Sequence, residues 1–421
     1  MGRISPFNLL FYSIFVWFIA FFLIPYNYHF IDSPNEAIFF IFFYIISFAI
    51  GLKLSINKPQ FDNDLSEKNI FNNRINVLFY CALLIGIIGV FLRLYQRIYI
   101  DQVFLFDSFT EYRFFSLETE TEISFINILA SIMYPFGLTA LVCYIYFKEQ
   151  IKISKYVVIF AAIMYPLESI LLGGRLTIIF FGSIIFFAFQ IRSYLHSGRL
   201  LRIRRLYILY FFIIISIFSI YSSSIVSERL SSMGFTLPVY LNFLEISRVI
   251  DIDDSFYNFI DSNNFSGLGN YLFIITEIFH YYLSGIIEFI KLYNFNDTYE
   301  YWLGAHQFNI YLKFLSFFGI ENLPTYQDTL SSHHQPGQYT SFLGPTLIDF
   351  GKFSLIYIFL LGIIIGKIFN SVVSKNLSGI MFYPLFATTV IFSPMIHLLM
   401  ASSLYIINAF IIFVIATKIR L

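Results

Sequence analysis

The chain has 421 residues, of which 58% are hydrophobic and only 12% charged, and its mean hydropathy is +0.74. A chain this apolar cannot bury its surface in a soluble core, so composition favours a bilayer as its environment. The formal net charge is zero. This excludes nucleic acid as a partner, because duplex binding requires a clustered cationic surface.

Apolar runs of about the length that spans a bilayer, roughly 17 to 25 residues, recur along the whole chain. They cover residues 7–24, 37–52, 75–92, 123–147, 156–172, 176–191, 207–226, 345–366, 380–398 and 404–417. The sequence therefore predicts an all-α polytopic membrane protein with ten membrane helices. No internal repeat at a fixed period divides it, so one membrane-embedded domain over 1–421 is expected.

Basic residues predict the orientation of these helices. Most of the 26 Lys and Arg residues fall on the side that also holds the N-terminus, as in the segments 148–155 and 192–205. The positive-inside rule places this side, and both termini with it, in the cytoplasm.

Two segments on the outer side are long, namely 93–122 and 227–344, and long outer loops usually carry function. Within the second, polar side chains recur at three- and four-residue spacing, which predicts an amphipathic helix along the membrane interface. They are Glu277, His280, Ser284, Glu288 and Lys291. The alternative is that 271–292 and 303–320 form a further membrane pair, which raises the number of helices to twelve.

Arg175 follows two glycines between the runs 156–172 and 176–191, at the outer tip of a helical hairpin. A guanidinium there suits a phosphate group, because its planar fork gives two parallel charge-assisted hydrogen bonds. Glu168 lies two helical turns earlier and shares a face with Arg175 if the helix continues. The alternatives are a structural ion pair between the two, or interfacial anchoring of Arg175.

Further arginines could complete a diphosphate site, because a diphosphate has more acceptor oxygens than one guanidinium satisfies. Arg229 and Arg248 open the large outer segment and are the favoured candidates. Arg93 and Arg97 in the first outer segment have weaker context, and anchoring of a helix end is their preferred role. Taken singly, each arginine could also be a surface charge.

Histidines in the outer polar loops are candidates for a general base, because the unperturbed pKa of histidine is near neutrality. These are His306 and His333, with His334 beside the second. The alternative for each is a solvated loop residue. The acidic clusters at 62–64 and 251–254 are interpreted as solvated acids.

The run 380–398 contains Pro384 and Pro394 together with His397. This pattern predicts a kinked helix whose freed backbone groups are satisfied by nearby hydroxyls. A kinked helix of this kind suits a cavity wall.

Three stretches together resemble the oligosaccharide repeat-unit polymerases, the Wzy-type O-antigen and capsule polymerases. The first is Leu-Leu-Gly-Gly-Arg-Leu-Thr at 171–177, and the second is Tyr-Tyr-Leu-Ser-Gly at 281–285 leading to Trp-Leu-Gly at 302–304. The third, 337–351, is the most specific, since a Tyr-Thr pair precedes an Asp-Phe-Gly that starts a membrane helix.

The resemblance implies a fold similar to that of GT-C-type membrane glycosyltransferases, at the outer face of the bacterial cytoplasmic membrane. Family members transfer a growing glycan from undecaprenyl pyrophosphate to the non-reducing end of a new lipid-linked repeat. The lipid pyrophosphate is itself a good leaving group, so no metal or other cofactor is expected. Membrane lipid, a chain-length regulator and a flippase are the further partners that the resemblance implies.

By this resemblance Arg175 matches the hairpin arginine, and Tyr339, Thr340, Asp349 and Gly351 match the motif at the late membrane helix. Asp349 could instead form a structural pair with Lys352. The expected catalytic residues are Arg175, Glu168, Asp349, His306 and His333, and the expected substrate-binding residues are Arg175, Arg229, Arg248, Tyr339 and Thr340. Two other functions stay open: an O-antigen ligase-like transferase, and a flippase or transporter of lipid-linked oligosaccharide.

Overall fold

The fold is mostly helical, as predicted. The computed structural model describes residues 1–28, 34–56, 72–103, 125–171, 176–201, 250–262, 267–294, 301–320, 323–324, 339–400 and 402–419. Within these ranges, 6 helical segments are long and apolar enough to cross a membrane, which supports a membrane-embedded protein. They are Pro6–Leu23, Asn35–Ser55, Asn73–Ile100, Phe125–Phe147, Leu176–Ser197 and Leu343–Val373.

The described helices follow the predicted apolar runs closely. They are α1 (Pro6–Leu23), α2 (Asn35–Ser55), α3 (Asn73–Tyr95), α4 (Phe125–Met133), α5 (Pro135–Phe147), α6 (Lys155–Leu171), α7 (Leu176–Ser197), α8 (Asp254–Ser262), α9 (Gly267–Asn294), α10 (Asn309–Phe317), α11 (Leu343–Phe350), α12 (Ser354–Val373), α13 (Leu377–Phe392) and α14 (Ser403–Lys418). Every predicted run except 207–226 coincides with one or two of them, and 207–226 lies outside the described residues.

A small antiparallel sheet departs from the all-helical prediction. It pairs β1 (Tyr26–Tyr28), directly after α1, with β2 (Ile250–Ile252), directly before α8, and Asn27 lies opposite Asp251. The predicted outer loop 227–344 therefore contains a strand and three complete helices in its described part, and α9 packs against α1, α2 and α11.

The most extensive helix pair is α2 with α12, and small residues allow its close approach. Gly51 lies against Gly362, where an added Cβ would stand 2.5 Å from the Phe48 carbonyl oxygen. Further along, the Asn370 side-chain amide donates to the Ser55 carbonyl at 2.5 Å. Gly51 contacts Gly362, and the later residue Ser55 contacts the later residue Asn370, so the two helices are parallel. Lipid gives helices little hydrophobic reason to associate, so close van der Waals contact of this kind holds them together.

Side-chain contacts also fix the direction of α1 and α13. The Ser13 hydroxyl donates to the Ile391 carbonyl at 2.8 Å, and the Tyr383 hydroxyl donates to the Ile4 carbonyl. The earlier residues Ile4 and Tyr383 contact each other, and so do the later residues Ser13 and Ile391. These helices are therefore also parallel.

Basic helix ends gather at one end of the bundle. The Tyr146 hydroxyl donates to the Ile380 carbonyl at 2.9 Å, which brings the end of α5 to the start of α13 and therefore to the start of α1. Basic residues lie close to these contacts in the sequence: Arg3 precedes Ile4, Lys148 follows Tyr146, and Lys375 precedes α13. The grouping agrees with the charge distribution. That this basic end faces the cytoplasm stays a prediction.

Two helix boundaries differ from the prediction. The run 345–366 was expected to be one helix, but it breaks at Gly351, whose φ of 53° lies in the left-handed region. The ring of Tyr301 occupies the place of a Cβ there, so only glycine fits. The predicted C-terminal boundary of the kinked helix over 380–398 is also wrong. Pro384 stays inside α13, which ends at Phe392, because Pro394 has no N–H to continue the ladder.

We expect Gly51→Ala to lower the free energy of unfolding by about 1 to 3 kcal/mol, because the new methyl would overlap the Phe359 carbonyl of α12. Gly182→Ala in α7 is the matched control, since nothing lies within 4 Å of a Cβ there. Thermal unfolding of the detergent-solubilised variants measures the difference. Equal stability of the two variants would contradict the close α2–α12 contact.

Candidate functional site

Described residues from each of the three stretches that carry the resemblance lie at the end of the bundle opposite the basic end, whereas 172–175 of the first stretch and 337–338 of the third lie outside the described residues. The rings of Tyr281 and Tyr339 make an edge contact with centroids 5.5 Å apart. Leu176, at the start of α7, belongs to an apolar cluster that Tyr282 and Tyr339 pack against. The backbone N–H of Leu303 donates to the Asp349 carbonyl at 2.9 Å. We call this meeting point of α7, α9, 301–308, 339–351 and 393–399 the junction.

Asp349 is fully buried near the end of α11, and its carboxylate holds the turn 301–308 in place. One carboxylate oxygen accepts the backbone N–H of His306 at 2.9 Å, and the other accepts that of Gln307 at 3.0 Å. A buried carboxylate is tolerated when such bonds satisfy it. The side chain thus has the contacts of a positioning group. Lys352, its suggested partner in an ion pair, is exposed.

His306 and His397 lie close enough to interact electrostatically, although 91 positions separate them in the sequence. Both side chains are almost completely buried. The ring of His397 stacks on Phe342, with centroids 4.0 Å apart and planes within 10°. Its Nδ1 accepts the Leu399 backbone N–H at 3.1 Å, so in the neutral ring the hydrogen resides on Nε2. His397 therefore belongs to the buried junction, whereas the sequence suggested only a kinked helix there.

Tyr339 and Thr340 lead into α11 at the same place. The Thr340 carbonyl accepts the Gly344 N–H at 2.9 Å, and the Thr340 side chain covers Gly344 so closely that no Cβ would fit. Both residues are partly exposed. They are the predicted substrate-binding residues that the structure brings to the junction.

Other predicted site residues fall on parts of the chain that the structure does not describe. Glu168 belongs to α6, but its side chain is outside the description, and so are the predicted residues Arg175, Arg229, Arg248 and His333. Leu176, the residue after Arg175 in the sequence, is described and belongs to the apolar cluster at the junction.

The polar stripe of α9 has protein partners; that this helix lies along the membrane interface stays a prediction. The Tyr26 hydroxyl donates to Glu277 at 2.8 Å, and the Tyr28 hydroxyl lies 2.8 Å from His280 Nδ1. Further along, Glu288 pairs with Lys291 at 2.9 Å. The first two partners come from β1, about 250 positions away in the chain, and spacing within α9 carries no sign of them.

Arg93 is a second residue whose setting the sequence missed. It was expected to anchor a helix end, but its side chain is buried, and Nη1 donates to Gln96 at 2.7 Å and to Asn127 at 2.6 Å. The guanidinium also lies over the ring of Tyr134, 5.5 Å from its centroid. Arg93 thus joins α3 to α4 and α5.

The acidic cluster at 251–254 has a local structural role. Asp253 accepts the backbone N–H of Ser255 at 2.9 Å and so begins α8. Hydrogen bonds, above all from the Ser255 hydroxyl, lower the pKa of this exposed carboxyl. Among the residues that the structure describes, no group of three or more His, Cys, Asp and Glu side chains could hold a metal ion.

Comparisons with protein-family models, with curated proteins and with solved structures found no match to this chain. Function is therefore inferred from the arrangement of residues at the junction.

We expect Asp349→Asn to lower the free energy of unfolding by about 1 to 3 kcal/mol, because the new NH₂ group would face a buried N–H in place of an acceptor. Lys352→Gln, three residues away and exposed, is the control and should leave stability unchanged. Chemical unfolding of both variants tests this. If Asp349→Asn is as stable as Lys352→Gln, the carboxylate does not hold the turn.

Proposed function

We propose that this protein polymerises lipid-pyrophosphate-linked oligosaccharide repeat units into O-antigen or capsular polysaccharide, at the outer face of a bacterial cytoplasmic membrane. The protein would act as a membrane glycosyltransferase that uses the lipid pyrophosphate as leaving group. Both substrates are then anchored in the bilayer that surrounds the apolar helices.

One observation carries the proposal. The three stretches that carry the resemblance are far apart in the sequence, yet described residues of each, with Leu176 from the first, lie at one junction. Tyr281 contacts Tyr339, Leu303 bonds to Asp349, and Leu176 packs in the cluster that Tyr339 joins. Convergence of separate segments is what a site requires, because substrates must be held by several elements at once.

The reaction has a simple balance. A hydroxyl oxygen of the acceptor repeat attacks the anomeric carbon of the donor glycan, and the bond from that carbon to the pyrophosphate oxygen breaks. The lipid pyrophosphate leaves with the bonding electron pair, and the hydroxyl proton passes to a base. Charge develops mainly on the leaving group, so fixed cations are expected to contribute most to catalysis.

This reaction scheme suggests a role for each candidate residue. Arg175 is proposed to bind the departing pyrophosphate, aided by Arg229 and Arg248. His306, held at the junction through its backbone by Asp349, is proposed as the base toward the acceptor hydroxyl. Tyr339 and Thr340, which are partly exposed just before α11, are proposed to contact the glycan.

We expect Arg175→Ala to slow polymerisation about tenfold to a hundredfold, because a charge-assisted hydrogen bond contributes roughly 1.5 to 3 kcal/mol. Arg192→Ala in α7 is the control, since Arg192 pairs with Glu149 at 3.4 Å near the basic end. Purified protein in vesicles would be supplied with a lipid-pyrophosphate repeat unit, and the glycan ladder would be resolved on a gel.

The products also discriminate between activities. A ladder of increasing length supports the polymerase, whereas a single transfer to another acceptor indicates a ligase. Glycans whose length is unchanged, although the lipid-linked repeat is already on the outer side, indicate a transporter. Normal ladders from the Arg175→Ala variant would refute the role of this arginine.

A further inference from the structure

An apolar cleft of about 90 Å³ lies inside the helical bundle, next to the junction. Its walls come from α1, α2, α12 and α13, with Ile286 of α9 at one side. Leu10 and Ile14 line it from α1, and Ile41 and Ile45 line it from α2. At the junction end it is lined by Ser341, Phe342 and Leu343, directly after Tyr339 and Thr340.

The polar groups in the wall of this cleft are already occupied within the protein. The Tyr44 hydroxyl bonds to Ser354 and lies 3.2 Å from the Thr346 hydroxyl. The hydroxyls of Thr389 and Ser393 donate to main-chain carbonyls at 3.0 and 2.9 Å. The cleft consequently offers an incoming molecule an almost purely apolar surface, which disfavours water or a sugar.

The size of the cleft selects a narrow occupant. An apolar cavity of about 150 Å³ admits a benzene ring, so 90 Å³ holds a few carbon atoms of one chain and excludes two chains side by side. A second cavity, between α7, α13 and α14, has only about 30 Å³, which is close to the space of one water molecule. Of these two cavities, only the larger one can take a stretch of hydrocarbon.

The position of the cleft separates it from the start of α7, the helix that follows Arg175 in the sequence. α1 and α2 both line the cleft and touch each other little. The start of α7 packs on Phe392, Met395 and Leu398, whereas Ser393 and Pro394 of the same segment face the cleft. The segment 392–398 therefore stands between the cleft and the start of α7.

We propose that this cleft seats the isoprenoid chain of the acceptor lipid, the molecule whose sugar hydroxyl attacks. This rests on the proposed polymerase function, which requires two lipid-linked substrates at one site. The donor pyrophosphate is proposed to bind Arg175, the residue before α7 in the sequence. The acceptor enters from the opposite side, between α1 and α2, and its head group comes to lie beside Tyr339.

The cleft contributes mainly by positioning the acceptor lipid, and its affinity for the isoprenoid chain is low. A hydrocarbon chain gains little hydrophobic free energy on leaving lipid for an apolar cleft, so only van der Waals contact and head-group alignment favour the bound state. Blocking the cleft should consequently weaken selection of the acceptor and leave the chemistry of the donor unchanged.

The test is a competition between two acceptors in vesicles: a repeat unit on a polyprenyl diphosphate, and the same repeat unit as a soluble methyl glycoside. The product keeps the reducing end of its acceptor, so its lipid content reports which acceptor was used. Ile14→Trp fills the cleft, and Val16→Trp, on the exposed side of α1, is the control. Ile41→Trp, on the opposite wall, serves if Ile14→Trp does not fold.

We expect the ratio of lipid-linked to soluble product to fall about fivefold in the cleft variant and to stay unchanged in the control. If the cleft held the donor chain, both products would fall in the same proportion. An unchanged ratio, or an equal fall of both products, would overturn the proposal.

A binding measurement separates this proposal from the polymerase function. A photoreactive p-azidophenylalanine replaces Ile14 or Val16 in nanodiscs of phosphatidylethanolamine with a minor fraction of undecaprenyl diphosphate. Polyprenyl adducts enriched at position 14 over position 16 support the cleft as a chain site, even if no polymer forms. Adducts that reflect the bulk lipid composition at both positions would refute it.

Discussion

A buried carboxylate organises the end of the bundle where the candidate site lies. Asp349 binds two consecutive backbone N–H groups, those of His306 and Gln307, and its own carbonyl accepts the N–H of Leu303. Three hydrogen bonds thus fix one turn to the end of α11. Without an acceptor at this position the two N–H groups would be buried and unsatisfied, so the turn could not stay where it is. The location of His306, and of everything that approaches it, depends on this contact.

Close helix contact supplies the frame on which this turn rests. α2 and α12 approach through Gly51 and Gly362, so α12 begins beside Tyr44, whose hydroxyl bonds to Ser354. The same helices form two walls of the apolar cleft, and α1, which touches α2 little, forms another. The glycine contact and the cleft are therefore parts of one arrangement: tight packing on one side of α2 and loose packing on the other.

The sequence predicts the membrane helices well, because each depends on a local property, an apolar run of sufficient length. It fails where contacts between distant residues decide. Gly351 interrupts a predicted helix because the ring of Tyr301 occupies its Cβ position. The spacing within α9 places His280 in a polar stripe but does not reveal that Tyr28, of a strand near the N-terminus, contacts it. Asp349 and Tyr339 were identified as site residues by resemblance. The sequence pattern around His397 gave no indication that its side chain is buried.

The irregular segment after α13 gives a reason for a site here that is independent of any resemblance. Within a bilayer, non-helical backbone is tolerated only where protein partners or a cavity satisfy its polar groups. Here the Phe342 N–H donates to the Ser393 carbonyl at 2.8 Å, and Ser341 forms a parallel bridge with Ile396. This interruption leaves a short stretch of irregular chain between the start of α7 and the cleft. A continuous helix would present only a side-chain surface there, whereas this segment also brings main-chain groups to the junction.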